Sequence, residues 1–78
     1  MQIQFTYHAL ERLQERKIAK KEIRKTISQP DKKATKNEVQ IAMKLRKNRH
    51  LLIVVYTEVK SICKIITIID TSKVQKYL

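Results

Sequence analysis

Seventy-eight residues suffice for one compact core, burying roughly 60% of the surface an unfolded chain exposes, and leave no room for a second domain. Eighteen Lys and Arg against seven Asp and Glu give a net charge of +11, an excess that attracts polyanions over a Debye length or more. Nucleic acid therefore heads the expected partners, with an anionic membrane surface as rival. Gly is absent altogether, which excludes the Gly-rich phosphate loops of Walker and Rossmann sites and the nucleotide cofactors they hold.

Hydrophobic content of 42% beside 32% charged residues fits a folded globule rather than a disordered chain. No stretch approaches the ~20 apolar residues of a membrane-spanning helix, and MQIQFTYH lacks the apolar run of a signal peptide. A chain that starts at Met1 and stays in the cytoplasm is expected. The single Cys, Cys63, has no partner for an internal disulfide. Its place in the apolar run SICKIITIID points to a buried thiol rather than a nucleophile, in keeping with a reducing compartment.

Taken in chain order, Ile3 and Phe5 alternate with Gln2 and Gln4, the pattern of a short leading strand or an extended arm. Thr6 caps a helix from Tyr7 to Arg16, with Phe5 and Leu10 as a hydrophobic staple and Ala9, Leu10 and Leu13 as the core stripe. His8, Arg12 and either Glu15 or Arg16 line a different face of that helix. After a break at Lys17-Ile18, Ile23 and Ile27 lie four apart and Pro30 forbids continuation. A second helix is predicted from near Lys20 to Ser28, with Ile18 beneath the joint.

Gln29 to Asn37 has no apolar period and reads as the most exposed loop. Beyond it Val39, Ile41, Met43 and Leu45 alternate with Glu38, Gln40, Ala42 and Lys44 as a half-buried strand. Leu51 to Tyr56 is apolar on both faces, a central strand, and Ile62 to Ile69 makes a third. RKNR and EVKS are short enough for hairpins. The expected fold is α+β, two N-terminal helices packed on a three- to four-stranded antiparallel sheet. A short C-terminal helix completes it, capped by Asp70 or Thr71, with Val74, Tyr77 and Leu78 turned inward.

Two His and one Cys on different elements do not make a structural zinc set, and no cofactor is expected. What remains is the first-helix face, where His8 can exchange protons near neutral pH while Arg12 and Arg16 hold a phosphate by bidentate hydrogen bonds. That combination suits attack of an RNA 2′-hydroxyl on the adjacent phosphate. The plainer reading is a solvated His8 and surface ion pairs among Glu11, Arg12, Glu15 and Arg16. Thr71, Ser72, Lys73 and Tyr77 offer a second anion site at the C-terminal helix start, or else a capped helix with Tyr77 in the core. Lys32, Lys33, Lys36, Lys44, Lys47 and Arg49 form either a solvated rim or a phosphate-tracking path. His50 reads as a structural or exposed residue rather than a catalyst.

The order HALERLQERKI, a short helix ending in QPDK, a strand, then LLIVVY, IITIID and a terminal TSKVQKY resembles the domain of unknown function 4258 family, from about Phe5 to Tyr77. In that family a His-Ala-x-x-Arg-x-x-x-Arg helix opens the domain and the third strand carries a Thr; the matching positions are His8, Arg12, Arg16 and Thr67. The family is similar in layout to the RelE and BrnT toxins and is grouped with ribonuclease-like folds of the barnase, EndoU, colicin and RelE type. The resemblance implies a single RelE/BrnT-like domain over residues 1–78, its open sheet face meeting RNA. The end TSK-x-x-x-Tyr resembles the terminal segment of the BrnT group. Lys17 stands where the family commonly has Gly, and Ala19 where Ser or Asp would cap the second helix.

The leading expectation is a toxin-type endoribonuclease that cleaves RNA without metal by 2′-hydroxyl attack. His8 is the acid or base, Arg12 is the phosphate ligand beside it, and Tyr77 is a second proton-transfer group or a base-stacking platform. Arg16, Lys73, Thr67, Thr71, Ser72, Lys32 and Lys33 are the expected phosphate and RNA contacts. RNA, free or on the ribosome, and a small acidic antitoxin are the expected partners. The alternatives are a non-catalytic basic nucleic-acid-binding module, or an interaction protein that docks an acidic partner.

Overall fold

The computed structural model describes residues 2–78, so the expected start at Met1 lies outside the described residues. The chain runs β1 (Gln2–Phe5), α1 (Tyr7–Glu15), α2 (Lys20–Ser28), β2 (Lys32–Lys36), β3 (Val39–Leu45), β4 (Leu51–Val59), β5 (Ile62–Thr71) and α3 (Val74–Tyr77). The strands form one five-stranded sheet in the order β1-β5-β4-β3-β2, antiparallel except for the parallel pair β1 and β5.

This mixed sheet corrects the expected antiparallel sheet of three to four strands at both edges. The leading segment is a strand that lies parallel to β5, Ile3 opposite Cys63 and Phe5 opposite Ile65. Its alternation places both apolar side chains on the face that the helices cover. At the other edge, the expected Lys-rich loop is largely β2, paired with β3 from Lys32 opposite Met43 to Lys36 opposite Val39. All five β2 residues are exposed, so backbone pairing rather than burial makes this strand. Lysines along such an edge discourage pairing with another chain.

The helices follow from local chemistry. The Thr6 hydroxyl accepts the Ala9 N–H (3.2 Å) at the start of α1. Ala9 and Leu13 are buried, whereas Leu10 is 36% exposed and so does not belong to the expected core stripe. Helix α1 ends in a Schellman turn: Ile18 N–H bonds the Leu13 carbonyl (2.9 Å) and Lys17 N–H that of Gln14 (3.3 Å). Lys17 takes the left-handed position at φ 51°, where a β-carbon costs about 1 kcal/mol. The turn thus forms without glycine, and Ile18 is buried beneath it. Ala19 offers no capping oxygen to α2, but the Glu22 carboxylate accepts the Ala19 N–H at 3.4 Å.

The hairpins bear the same consequence of a glycine-free chain. Asn37 and Glu38 (φ 51° and 66°) join β2 to β3, and Lys60 and Ser61 (φ 49° and 67°) join β4 to β5. Both are two-residue turns of type I′, which need left-handed backbone twice in succession.

Helices α1 and α2 seal one sheet face, where Ala9, Leu13, Ile23 and Ile27 meet Leu52, Val54, Tyr56, Cys63, Ile65 and Ile68. Cys63 is fully buried, and burial pushes its thiol pKa up, away from nucleophile chemistry. On the opposite face Met43, Leu51 and Ile53 form a smaller cluster that α3 covers with Val74 and Tyr77. Leu78 is 48% exposed rather than turned inward. The Thr71 hydroxyl accepts the Lys73 N–H (3.0 Å) at the entry to α3. Asp70 caps nothing there, because it belongs to an ion network on the sealed side. No helix among the described residues is long and apolar enough to cross a membrane.

Candidate functional site

The end of β1 determines where α1 begins. Beyond Phe5, Thr6 N–H bonds the Ile65 carbonyl (3.1 Å), and the Thr6 hydroxyl donates to the Ile66 carbonyl (3.0 Å). Ile66 is the extra residue of a β-bulge: Tyr56 lies opposite Ile65 and Val55 opposite Thr67, leaving Ile66 without a counterpart. The bulge turns Thr67 onto the open face with Val55, and Thr6 pins the first turn of α1 beside it. His8 Nε2 then lies 3.2 Å from Thr67 Oγ1, in hydrogen-bond contact. His8 is exposed and Thr67 half-buried.

Side chains alternate across the sheet, so the register fixes which residues share the open face. Gln2 and Gln4 come from β1, Lys64 and Thr67 from β5, and Val55 and Thr57 from β4. Farther across are Ile41 and Val39 of β3, then Lys32, Ala34 and Lys36 of β2. No strand residue on this face is an Asp or Glu. Two carboxylates, Glu22 and Asp70, instead serve the other side. Arg46 Nε and Nη2 donate to Glu22 (2.9 and 3.2 Å) and Nη1 to Asp70 (3.3 Å), and His50 Nδ1 lies 3.1 Å from Asp70. The Glu22 hydrogen bond raises the Arg46 pKa against the opposing effect of burial.

The structure brings some expected site residues together and separates others. Arg12 is half-buried one turn beyond His8, on the same helix flank. Arg16, the exposed residue at the end of α1, is about 12 Å farther along the axis than His8. Lys32 Nζ donates to the Tyr77 carbonyl (2.8 Å), tying α3 to the β2 edge. The Tyr77 ring is spent on packing against the Met43, Leu51 and Ile53 cluster. Val55 borders that cluster and also faces Thr67 across the strand pair, so His8 and α3 flank one surface. Ser72 and Lys73 are exposed at the turn into α3, and Thr71 holds that turn. Lys33 alternates to the side opposite Lys32, away from the open face.

Sequence reasoning passed over Lys64. Strict alternation along β5 would group Lys64 with Ile66 and Ile68 and set Thr67 on the opposite face. The bulge at Ile66 shifts the phase, so Lys64 and Thr67 share the open face. The Arg46 network was missed as well, since its members come from α2, the β3–β4 turn and β5 and no local spacing joins them.

The model of one protein family, described as a domain of unknown function (DUF4258), matches residues 5–70. The match takes in His8, Arg12, Arg16 and Thr67 and ends before Thr71, short of the expected Tyr77. No curated protein and no solved structure matches the chain.

Proposed function

The chain belongs to this DUF4258 family, and we propose that it is a toxin-type endoribonuclease that cleaves RNA by 2′-hydroxyl attack. The observation that carries the reading is the His8–Thr67 contact at 3.2 Å, on the edge of a sheet face that has cations, amides and hydroxyls but no strand carboxylate. A polyanion meets no repulsion from such a face.

With Nε2–H donated to the Thr67 hydroxyl, the imidazole keeps a fixed orientation and leaves Nδ1 free for exchange. Nδ1 accepts the proton of the 2′-hydroxyl as that oxygen forms its bond to phosphorus. The bond from phosphorus to the 5′-oxygen breaks, and a proton returns to that leaving oxygen. The products end in a 2′,3′-cyclic phosphate and a 5′-hydroxyl. Arg12, one turn away, stabilises the added charge on the phosphoryl oxygens, and Lys64 attracts the neighbouring backbone. The nucleophile is the substrate's own hydroxyl, so the step requires no metal-activated water. Arg16 and Lys32 serve flanking phosphates, and Tyr77 anchors α3 at the border of the face. The reading puts the protein in the cytoplasm, with RNA as substrate and a small acidic protein as antitoxin.

The test is incubation of end-labelled RNA with purified protein, with and without EDTA. Cleavage that persists in EDTA and leaves cyclic phosphate ends is expected, with His8→Ala slower by about 100-fold or more. Thr67→Val should lose less, because it orients the imidazole without exchanging the proton. Absence of cleavage by the wild type, or undiminished cleavage by His8→Ala, sinks the enzyme reading. Salt-sensitive RNA binding without cleavage would favour the binding-module reading, which the open face supports independently of His8.

A further inference from the structure

The strand register lines up the apolar residues of the open face. Thr67 lies opposite Val55, Val55 opposite Ile41 and Ile41 opposite Ala34, a row that crosses the sheet from β5 to β2. Neighbouring strands are about 4.8 Å apart, so the row is about 14 Å long. Helix α3 stands along one side of it, packed through Val74 and Tyr77 on Met43, Leu51 and Ile53 and tied to β2 by the Lys32 hydrogen bond to the Tyr77 carbonyl. Along the other side runs the next row, with Lys64 on β5, Thr57 on β4, Val39 on β3 and Lys36 on β2. Lys73 and Lys76 are exposed at α3, and residues 72–78 include no Asp or Glu. The result is a shallow trough with an apolar floor, cations on both borders and the His8–Thr67 contact at one end.

The floor is open to solvent along its length: Val55 and Ile41 are half-buried, Ala34 is exposed, and Ile69, beside Thr67 on the same face, is 40% exposed. Phosphates alone call for cations, not for aliphatic surface left in water. An occupant with flat apolar faces and a negative backbone meets both requirements. We propose that the trough holds single-stranded RNA, with nucleobases lying on Val55, Ile41 and Ala34 and phosphates along Lys64 and Lys36. This rests on the reading that the open face meets RNA, and not on cleavage. A duplex keeps its base faces inside the stack and has nothing to lay on the floor. Beyond Thr67 the floor has no hydrogen-bonding side chain, so it takes bases by their faces and selects unpaired nucleotides rather than a particular base. The RNA runs across the strands from His8 toward β2.

The experiment is titration of the 15N-labelled protein with a 2′-O-methyl RNA oligonucleotide, which has no 2′-hydroxyl to attack, at one fixed ionic strength. Amide shifts centred on Ala34, Ile41, Val55 and Thr67 are expected. The single strand should bind at least tenfold more tightly than its duplex, and at least tenfold more tightly than an abasic strand of the same length and charge. Ala34→Glu should weaken binding of the single strand at least tenfold. Thr35→Glu, the same added charge one residue along β2 but on the other side of the sheet, should leave it within threefold. Both positions are exposed, so folding is not at stake. Shifts centred on the sealed side, equal affinity for single strand and duplex, equal affinity for the abasic strand, or equal weakening by the two variants would each overturn the proposal. Because the probe cannot be cleaved, a protein that meets these expectations without cutting RNA loses only the endoribonuclease reading, and one that cuts RNA but fails them loses only the trough.

Discussion

The two faces of this sheet solve opposite problems. The sealed face buries aliphatic side chains under two helices and gathers Glu22 and Asp70 around Arg46. The open face has only the short α3 over one end and keeps lysines, glutamines and threonines facing solvent. The difference shows how a chain of net charge +11 organises that excess. Of its seven carboxylates, Glu22 and Asp70 are engaged on the sealed side, and Asp31 accepts the Leu45 N–H (2.8 Å) at the end of β3. The open face is left without strand carboxylates, so a modest number of cations there suffices to favour a polyanion.

The comparison is broken most directly on β5. Ile65, fully buried on the sealed side, and Ile69, 40% exposed on the other, are neighbours on one strand. Urea denaturation should show Ile65→Ala costing about 4 kcal/mol and Ile69→Ala about 1 kcal/mol; equal costs would mean that the open face is as much a core as the sealed one. Next in size is Arg46→Met, expected to cost about 3 kcal/mol because Asp70, with a side chain only 10% accessible, loses its main counter-charge. A change under 1 kcal/mol would show the network to be dispensable.

The open face is sharpened by Lys36→Ala with Lys64→Ala, which should weaken single-stranded RNA binding about tenfold at low salt and reduce the salt slope by about 1.4. Lys20→Ala with Lys21→Ala, on α2, should leave that slope unchanged; parity between the pairs would make the charge diffuse rather than directional. The smallest effect is expected at Lys17→Gly, a gain of about 1 kcal/mol in stability from relief of the left-handed backbone at φ 51°. A loss there would indicate that the lysine side chain contributes more than the strain removes.

Elements specified by local pattern were legible from the sequence. The Thr6 cap, the Ile23 and Ile27 spacing and the alternation from Val39 to Leu45 each placed an element where it lies. β2 was not legible because KKATK has no apolar side chain beyond Ala34 to set a period; its partner strand imposes the conformation. The parallel pairing of β1 was hidden because it rests on residues at the far end of the chain. Of the site, His8 and Arg12 could be read from helix spacing and Thr67 only from family resemblance. Their contact could not be read, since it depends on the bulge at Ile66, which no composition signal marks. Tyr77 was readable as an aromatic at the C-terminus, but its packing role follows from the path of α3 over Met43 and Leu51.

The parallel edge strand also sets an order of events. β1 has no strand to join until β5 exists, and His8 and Thr67 are 59 positions apart. A chain synthesised from its N-terminus can form α2 and the β2–β3 and β3–β4 hairpins early, from local contacts. The N-terminal strand must wait, and the first turn of α1 cannot be pinned to Ile66 before then. The contact between His8 and Thr67 therefore assembles only once β5 is in place, and a nascent chain passes through most of its synthesis with its histidine still separated from its threonine.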